Sequence, residues 1–242
     1  RPHPADTGHD ARRTGRGAGL QGECADDLAR DAEDELAAKK KSLHAAEQDR
    51  PDVKAARDAW FARFADVEIK RLVFIDEFGA TTNMTRRYAR GPRGQRVVCK
   101  APHGHWKILS TIAAMDVNGI RTACCFDGAT DTDMFVGFVK QFLAPTLRPG
   151  DVVVLDNLSA HKSPRVDELI EARGARVMRL PPYSPDFNPI EKAISKMKSV
   201  LRKLSRRTVE DLEDGIAQAV RSITSTDAKR FIRHCGYNAT AA

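Results

Sequence analysis

Three acidic residues that lie far apart in the chain could share one metal site. Asp76 closes the apolar run RLVFID, Asp156 closes the run DVVVLD, and Glu191 follows the proline-rich segment LPPYSPDFNPI. Carboxylates that converge on one point repel each other unless cations neutralise them, and divalent ions such as Mg²⁺ take oxygen ligands. Two such ions can activate a water and stabilise the leaving 3′ oxygen when a phosphodiester is attacked in line. The three acids therefore predict metal-dependent cleavage of a phosphodiester.

Each acid also has a structural interpretation when it is taken alone. Asn188 and Glu191 have the spacing of a capping box, in which the glutamate bonds back to the amide of the cap residue, and for an isolated glutamate capping is favoured over catalysis. Asp76 could simply end a strand, and Asp156-Asn157 is a common turn pair. Jointly they favour a ligand site, because ligands of open sheets with crossovers gather beyond the carboxyl ends of the strands.

The elements that must position these acids are those of an α/β fold with a mixed sheet. Hairpin-like spacing around a turn at 117–119 predicts antiparallel strands first, and apolar runs separated by helical segments predict parallel strands later in the chain. The predicted strands are 71–76, 96–99, 108–115, 120–126, 151–156 and 175–180, and the predicted crossover helices are 131–147 and 164–173.

Further helices flank this core in the prediction. An early helix opens at Pro51 and has one apolar face, formed by Val53, Ala56, Trp60 and Phe64. Four prolines stiffen the loop before Glu191, and a helix then begins near Asn188 as its N-cap. The apolar stripe of that helix consists of Ile190, Ile194, Met197, Leu201 and Leu204. Helices at 208–223 and 227–234 close the chain.

Composition limits the class of protein. The chain has 242 residues, is 41% hydrophobic and carries a net charge of +7, which allows a substantial core and favours a polyanionic partner. No apolar run is long enough to span a membrane and no signal-peptide pattern is present, so we expect a cytoplasmic protein with no membrane partner. The five cysteines are odd in number and lack Cys-x-x-Cys spacing, which predicts reduced thiols rather than disulfides or a zinc site.

Two basic stretches are predicted to contact DNA. The segment 81–94 places arginines around an aromatic residue, a combination that suits phosphate contact and base or sugar stacking, although a solvated loop would look the same in composition. The helix after Glu191 is basic on the faces that its apolar stripe leaves open. The predicted DNA contacts are Arg86, Arg87, Tyr88, Arg90, Arg93, Lys107, Lys192, Lys196 and Lys203.

The order Asp76, Asp156, Glu191 resembles the DDE triad of transposases and retroviral integrases. Thirty-four residues lie between Asp156 and Glu191, a spacing similar to that of the mariner branch, which includes bacterial insertion-sequence transposases. The words FIDE, GATTNMTRRYARGPRG, HGHWK, LDNLSAHKS and LPPYSPDFNPIE resemble motifs of that bacterial group. The resemblance extends from about residue 39 to residue 236.

This resemblance implies a ribonuclease-H-like fold: three antiparallel strands, a crossover helix, two more strands and the helix that bears Glu191. It implies an enzyme that nicks double-stranded DNA at the terminal inverted repeats of a mobile element and then uses the freed 3′ hydroxyl to attack target DNA. Asp76, Asp156 and Glu191 would bind two Mg²⁺ or Mn²⁺ ions, and Asn157 and His161 would contact the ligands or the substrate. A homodimer and a nucleoid-associated place in the bacterial cytoplasm are implied as well.

Two departures from the family pattern leave an alternative open. Phe78 stands where such transposases usually have a small or hydroxylated residue, and its ring could crowd the metal site or pack beneath it. The family's helix-turn-helix region for reading DNA is not recognisable in residues 1–36. The alternative is a truncated, catalytically impaired transposase remnant that acts only as a basic DNA-binding protein. An aspartyl phosphatase is disfavoured, because it would need a second aspartate at position 78.

Domain boundaries follow from composition and motifs. Residues 1–36 contain only three large aliphatic side chains, too few to offset the entropy of ordering. We therefore predict a poorly ordered or remnant segment at 1–38, a linker and docking helix at 39–69, the catalytic domain at 70–236 and a tail at 237–242.

Overall fold

The structure is a computed structural model, and it describes residues 45–237. The segment predicted to be poorly ordered (1–38), the first residues of the predicted linker and the tail beyond Tyr237 lie outside the described residues.

Five strands and six α-helices make up the described part. The strands are β1 (Leu72–Thr81), β2 (Ile108–Asp116), β3 (Gly119–Asp127), β4 (Val152–Leu155) and β5 (Arg176–Arg179). The helices are α1 (Pro51–Asp58), α2 (Thr132–Phe138), α3 (Pro164–Glu171), α4 (Ile190–Leu204), α5 (Val209–Arg221) and α6 (Ser225–His234). Short helical turns lie at Ala46–Asp49, Phe61–Phe64, Ile69–Arg71, Val139–Leu143, Ala144–Thr146, Ser159–Lys162 and Pro185–Phe187.

The strands form one mixed sheet in the order β3-β2-β1-β4-β5. The first three strands pair antiparallel, whereas β4 pairs parallel with β1 on one side and with β5 on the other. The short turn between β2 and β3 can join only antiparallel neighbours, and the crossovers through α2 and α3 return the chain in parallel. The predicted mixed sheet flanked by helices, with antiparallel strands first and parallel strands later, is confirmed.

Alternation along β1 divides the core into two halves. Phe74 and Phe78 pack in the cluster that includes residues of α4, α5 and α6, whereas Val73 and Ile75 pack in the cluster that includes residues of α2 and α3. Successive side chains of a strand point to opposite faces of the sheet. Asp76 is therefore on the α4 face, and the next residue, Glu77, is on the α2 and α3 face.

Two predicted strand features are wrong. β1 continues to Thr81 because its pairing with β2 runs as far as Ile108, so Asp76 lies within the strand rather than at its end. Residues 96–99 form no strand but belong to an irregular segment, 82–107, in which Val98 is 78% exposed. β2 has a strand on both sides, and residues 96–99 do not pair with the stretch of β1 beyond Phe74.

Two predicted helices are shorter in the structure. The helix expected at 131–147 is α-helical only to Phe138. It continues as a π-helical turn at Val139–Leu143 and a 3₁₀ turn at Ala144–Thr146. The helix that opens at Pro51 ends at Asp58; Trp60 and Phe64 are buried as predicted, but Ala56 is exposed. Within the described range, none of the helices has the length and apolar character needed to cross a bilayer.

Candidate active site

The three predicted acids come from three elements that meet at one edge of the sheet. Parallel pairing of β1 with β4 reaches only to Phe74 and Val154, after which β1 continues with β2 alone. Asp76 lies on β1 just beyond that point, Asp156 directly follows β4, and Glu191 is in the first turn of α4. All three line one cavity of about 260 Å³. The structure thus brings together residues that are remote in sequence.

The environment of Asp76 disfavours its negative charge. Burial raises the pKa of the Asp76 carboxyl to about 8, and the nearby Glu191 carboxylate adds to this rise. The Glu77 amide donates a 2.7 Å hydrogen bond to Asp76 Oδ1, which offsets only part of the effect. A cation in the cavity would relieve the repulsion between these carboxylates.

His161 bridges two carboxylates behind the cavity. Its ring is fully buried, with Nδ1 2.5 Å from Asp156 Oδ1 and Nε2 2.8 Å from Glu77 Oε1. Both ring nitrogens face acceptors, so the geometry favours the doubly protonated ring. Burial alone would lower the pKa of His161, but the hydrogen bonds to Asp156 and Glu77 outweigh it and raise this pKa to about 9. His161, predicted to contact ligands or substrate, therefore contacts Asp156 directly.

Asp156 is oriented by this bridge. Its Oδ1 accepts from His161 and from the Leu158 amide at 2.9 Å. Burial works to raise the pKa of the Asp156 carboxyl, yet these two hydrogen bonds more than compensate and hold the pKa below its usual value. Glu77, which the sequence analysis did not assign to the site, is the second anchor of His161. The sequence feature that could have identified Glu77 is the alternation of side chains along β1, which places Glu77 on the face opposite Asp76.

Asn188 does not cap a helix as predicted. The helix α4 begins at Ile190 and has no side-chain cap, so the capping-box interpretation of Glu191 is wrong. Asn188 is buried and its Nδ2 instead donates to Asp76 Oδ2 at 3.3 Å. Its Oδ1 is buried and has no hydrogen-bond partner among residues 45–237. An oxygen without a donor, next to the Asp76 carboxylate and in the lining of the cavity, suits a bound cation or water.

Two other residues discussed from the sequence have clear positions. Asn157 lines the cavity, and its Nδ2 donates to the Leu180 carbonyl at 2.5 Å, which fastens the start of the proline-rich loop. Phe78 is 4% exposed, packs in the core cluster on the α4 side and is not among the residues that line the cavity. Its ring therefore packs beneath the site.

The predicted DNA contacts lie on two elements. Six of them are exposed in the irregular segment 82–107: Arg86, Arg87, Tyr88, Arg90, Arg93 and Lys107. On α4, Lys192 and Lys203 are exposed, whereas Lys196 is half-buried and forms a 2.7 Å ion pair with Asp227 of α6. Five of the nine predicted contacts are thus exposed cations on one long loop.

A larger cavity, of about 810 Å³, lies at the opposite end of the sheet, and none of the predicted site residues lines it. Three charged residues in its lining pair with one another: Arg121 forms ion pairs with Asp116 at 3.0 Å and with Asp151 at 2.8 Å. This cavity is explained by internal ion pairing.

The smaller cavity fits a hard divalent ion. Its donors are carboxylate and amide oxygens, the ligands that Mg²⁺ and Mn²⁺ prefer. Between residues 45 and 237, no three Asp, Glu, His or Cys side chains already enclose a point at metal-ligand distances. The partly buried Asp76 carboxylate, its repulsion by Glu191 and the unpartnered Asn188 Oδ1 are the features that a cation would satisfy.

Known structures share this architecture. The chain superimposes on a Mos1 transposase paired-end complex with left transposon end with a TM-score of 0.67 and 16% identity, covering 83% of this chain and 64% of that one. For a Mos1 mariner paired end complex with Mn, the TM-score is 0.68 and the sequence identity 16%, and the match covers 84% of this chain and 64% of that one. For the catalytic domain of Mos1 mariner transposase, the TM-score is 0.56 and the sequence identity 15%, and the match covers 81% of this chain and 91% of that domain. The fold is, as predicted, the ribonuclease-H-like fold of transposase catalytic domains, and the chain spans slightly less than two thirds of the Mos1 chains in the two paired-end complexes.

The family follows from the sequence itself. The profile of the DDE superfamily endonuclease family matches residues 71–214, from the start of β1 into α5. The chain therefore belongs to the DDE superfamily endonucleases, and the predicted enzyme class is confirmed. No curated protein gives a significant sequence match to this chain.

Proposed function

We propose that this chain contains the catalytic domain of a transposase that, with Mg²⁺ or Mn²⁺, cleaves DNA strands at the ends of a mobile element and joins them to target DNA. The observation that carries the proposal is the convergence of Asp76, Asp156 and Glu191 on one cavity. Family membership and the likeness to Mos1 structures that hold a transposon end or Mn support it. The bacterial insertion-sequence branch rests on the sequence motifs alone and stays a prediction.

Each residue of the site has a distinct task in this proposal. Asp76, Asp156 and Glu191 would hold two divalent ions. When bound, these ions supply the acidity that activates a water and the charge that stabilises the leaving 3′ oxygen. His161 and Glu77 fix the orientation of the Asp156 carboxylate, since second partners of this kind position metal ligands.

Double-stranded DNA is the proposed partner, both as element ends and as target. The exposed arginines of segment 82–107 and the exposed lysines of α4 supply positive charge that would displace phosphate counterions. A homodimer that holds paired ends is part of the proposal, by analogy with the paired-end complexes of Mos1.

A nicking assay tests the proposal. Supercoiled plasmid incubated with the full chain and Mn²⁺ should be converted to the nicked form, and EDTA should stop the reaction. A remnant that has kept only its affinity for DNA would retard the plasmid in a gel but leave it supercoiled, whether Mg²⁺ or Mn²⁺ is added. That second outcome would favour the alternative of a DNA-binding remnant.

The two lysines Lys203 and Lys196 should behave differently when replaced by alanine. Lys203 is exposed, so Lys203→Ala should weaken DNA binding and reduce the slope of log affinity against log salt by about 1. Lys196 pairs with Asp227, whose side chain completes the capping box of α6, so Lys196→Ala should chiefly lower the melting temperature. Fluorescence anisotropy at several salt concentrations and thermal melts measure both effects. An unchanged salt slope for Lys203→Ala would mean that this position does not contact phosphate.

A further inference from the structure

Tyr183 is an exposed aromatic residue in an unusual backbone conformation at the mouth of the acidic cavity. It lines the cavity together with Asp76, Asp156 and Glu191, and 46% of it is exposed. Its φ is +54°, in the left-handed region that bulky residues rarely adopt. Left-handed residues other than glycine, asparagine and aspartate are uncommon and tend to mark sites where the surrounding structure holds them for function.

Contacts from several parts of the chain hold this conformation in place. Gln48 Nε2 donates to the Tyr183 carbonyl at 2.6 Å. The next residue, Ser184, is buried; its Oγ donates to Pro182 O at 3.0 Å and accepts from Arg57 at 2.8 Å. The loop is therefore fixed on both sides of Tyr183, and the ring is held beside the cavity although it is not part of the core.

The surroundings of the ring match the needs of a nucleobase. Leu158, which is 52% exposed, and the prolines 181 and 182 line the same cavity and give it an apolar rim around an acidic floor. Carboxylates that hold cations would receive a phosphate, and a flat apolar ring beside them would receive the base attached to that phosphate. Every base has a π-face, so stacking on tyrosine accepts any sequence.

We infer that the Tyr183 ring stacks on the nucleobase next to the scissile phosphate after that base has left the duplex stack. This inference rests on the proposed function and adds a base-binding subsite to it. Bases inside a duplex cannot reach a protein ring, so an enzyme that uses such a subsite must unstack the base first. The subsite positions the DNA strand end and does not take part in the chemistry.

Two substitutions separate the ring from the backbone conformation. Tyr183→Asn removes the ring but introduces a residue that tolerates the left-handed region, so the loop should keep its shape and the melting temperature should not fall. Tyr183→Phe keeps the ring and loses only the hydroxyl. The two variants differ in stacking while sharing the loop.

A fluorescent base reports on the stacking directly. The probe is a nicked 30-base-pair duplex of mixed sequence with 2-aminopurine as the 3′-terminal base at the nick; the control duplex carries it ten positions away. With Mn²⁺, the wild-type chain and Tyr183→Phe should change the emission of the terminal probe, and Tyr183→Asn should leave it as in free DNA. In the nicking assay Tyr183→Asn should raise KM roughly 10- to 100-fold with a smaller change in kcat.

The outcomes separate this inference from the proposed function. Equal emission changes for wild type and Tyr183→Asn, with equal KM values, would overturn the subsite while the nicking by both proteins upheld the transposase chemistry. A wild-type chain that neither nicks DNA nor alters the probe would overturn the proposed function as well. If Tyr183→Asn melts below wild type, Tyr183→Phe must still behave as wild type, and a loss of the emission change in Tyr183→Phe would also overturn the stacking.

Discussion

Replacing Asp156 with asparagine should lower Mn²⁺-dependent nicking by roughly 1,000-fold, because metal-ion catalysis supplies several kcal/mol of transition-state stabilisation. The fold should survive, since an asparagine Oδ1 can still accept the hydrogen bonds from His161 and the Leu158 amide. The expected change is therefore a loss of negative charge at constant shape. Initial rates of plasmid nicking, alongside anisotropy with labelled DNA, separate catalysis from binding.

A matched control lies outside the cavity. Asp133 is 87% exposed and pairs with Arg165 at the surface, so Asp133→Asn makes the same chemical change without touching the site. It should nick DNA at the wild-type rate. The double variant Asp76→Asn/Asp156→Asn should lose little more than either single variant, because residues that act as a unit are not additive. A rate for Asp156→Asn within tenfold of wild type would remove this carboxylate from the chemistry.

Replacing His161 with phenylalanine should strongly destabilise the protein. The substitution leaves Glu77 and Asp156 without their shared partner, and breaking a buried charge pair costs about 3–5 kcal/mol. The imidazole ring of His161 also packs on the Phe135 ring, with 4.0 Å between the centroids. Because the phenylalanine ring occupies the same space, the loss of stability reports on the missing hydrogen bonds rather than on a cavity. The melting temperature should fall by about 10 °C.

The exposed His234 supplies the control for this experiment. His234→Phe changes the same residue type on the surface of α6 and should leave the melting temperature within a few degrees of wild type. Differential scanning calorimetry in EDTA measures the two variants without interference from metal binding. Equal melting temperatures for His161→Phe and wild type would show that the bridge between Glu77 and Asp156 contributes nothing to stability.

The same bridge predicts a pH dependence for the metal-free protein. The pKa of His161 is raised from 6.5 to about 9, so its contribution to stability is fully present below pH 6.5 and is lost as the pH rises through 9. The raised pKa of Asp76, about 8, acts in the same direction, because unfolding exposes this partly buried carboxyl to water and makes its ionisation favourable. The melting temperature in EDTA should therefore fall between pH 7 and 9.5. His161→Gln should flatten this profile, and a profile as steep as that of wild type would contradict the assignment.

The directions of the strands could be predicted from the sequence because their signals are local. The run DVVVLD is continuously apolar, as expected of a strand covered on both faces, and the short turn at 117–119 permits only an antiparallel return. The convergence of the acids was expected because parallel strands present their carboxyl ends at one edge of a sheet. Asp76 lies inside β1, but just beyond the end of the parallel pairing between β1 and β4.

The contacts that refine the site depend on partners far away in the chain. Asn188 matches a helix cap in sequence, yet its amide bonds to Asp76, 112 positions earlier. Glu77 meets His161 across 84 positions, and alternation along a strand shows which face Glu77 occupies but not which residue crosses to meet it. The length of β1 depended on how far β2 continues to pair with it. These hydrogen-bond partners and strand lengths are determined by tertiary packing, which overrides the local conformational preferences of the residues.

The central proposal is that Asp76, Asp156 and Glu191 jointly bind divalent cations. Isothermal titration of the full chain with Mn²⁺ tests it most directly, with Asp76→Asn, Asp156→Asn, Glu191→Gln and the control Asp133→Asn measured under the same conditions. We predict two ions per chain for wild type and for Asp133→Asn, and a loss of at least one ion in each of the other three variants. Binding of Mn²⁺ by those three variants with the stoichiometry and affinity of wild type would contradict the shared site.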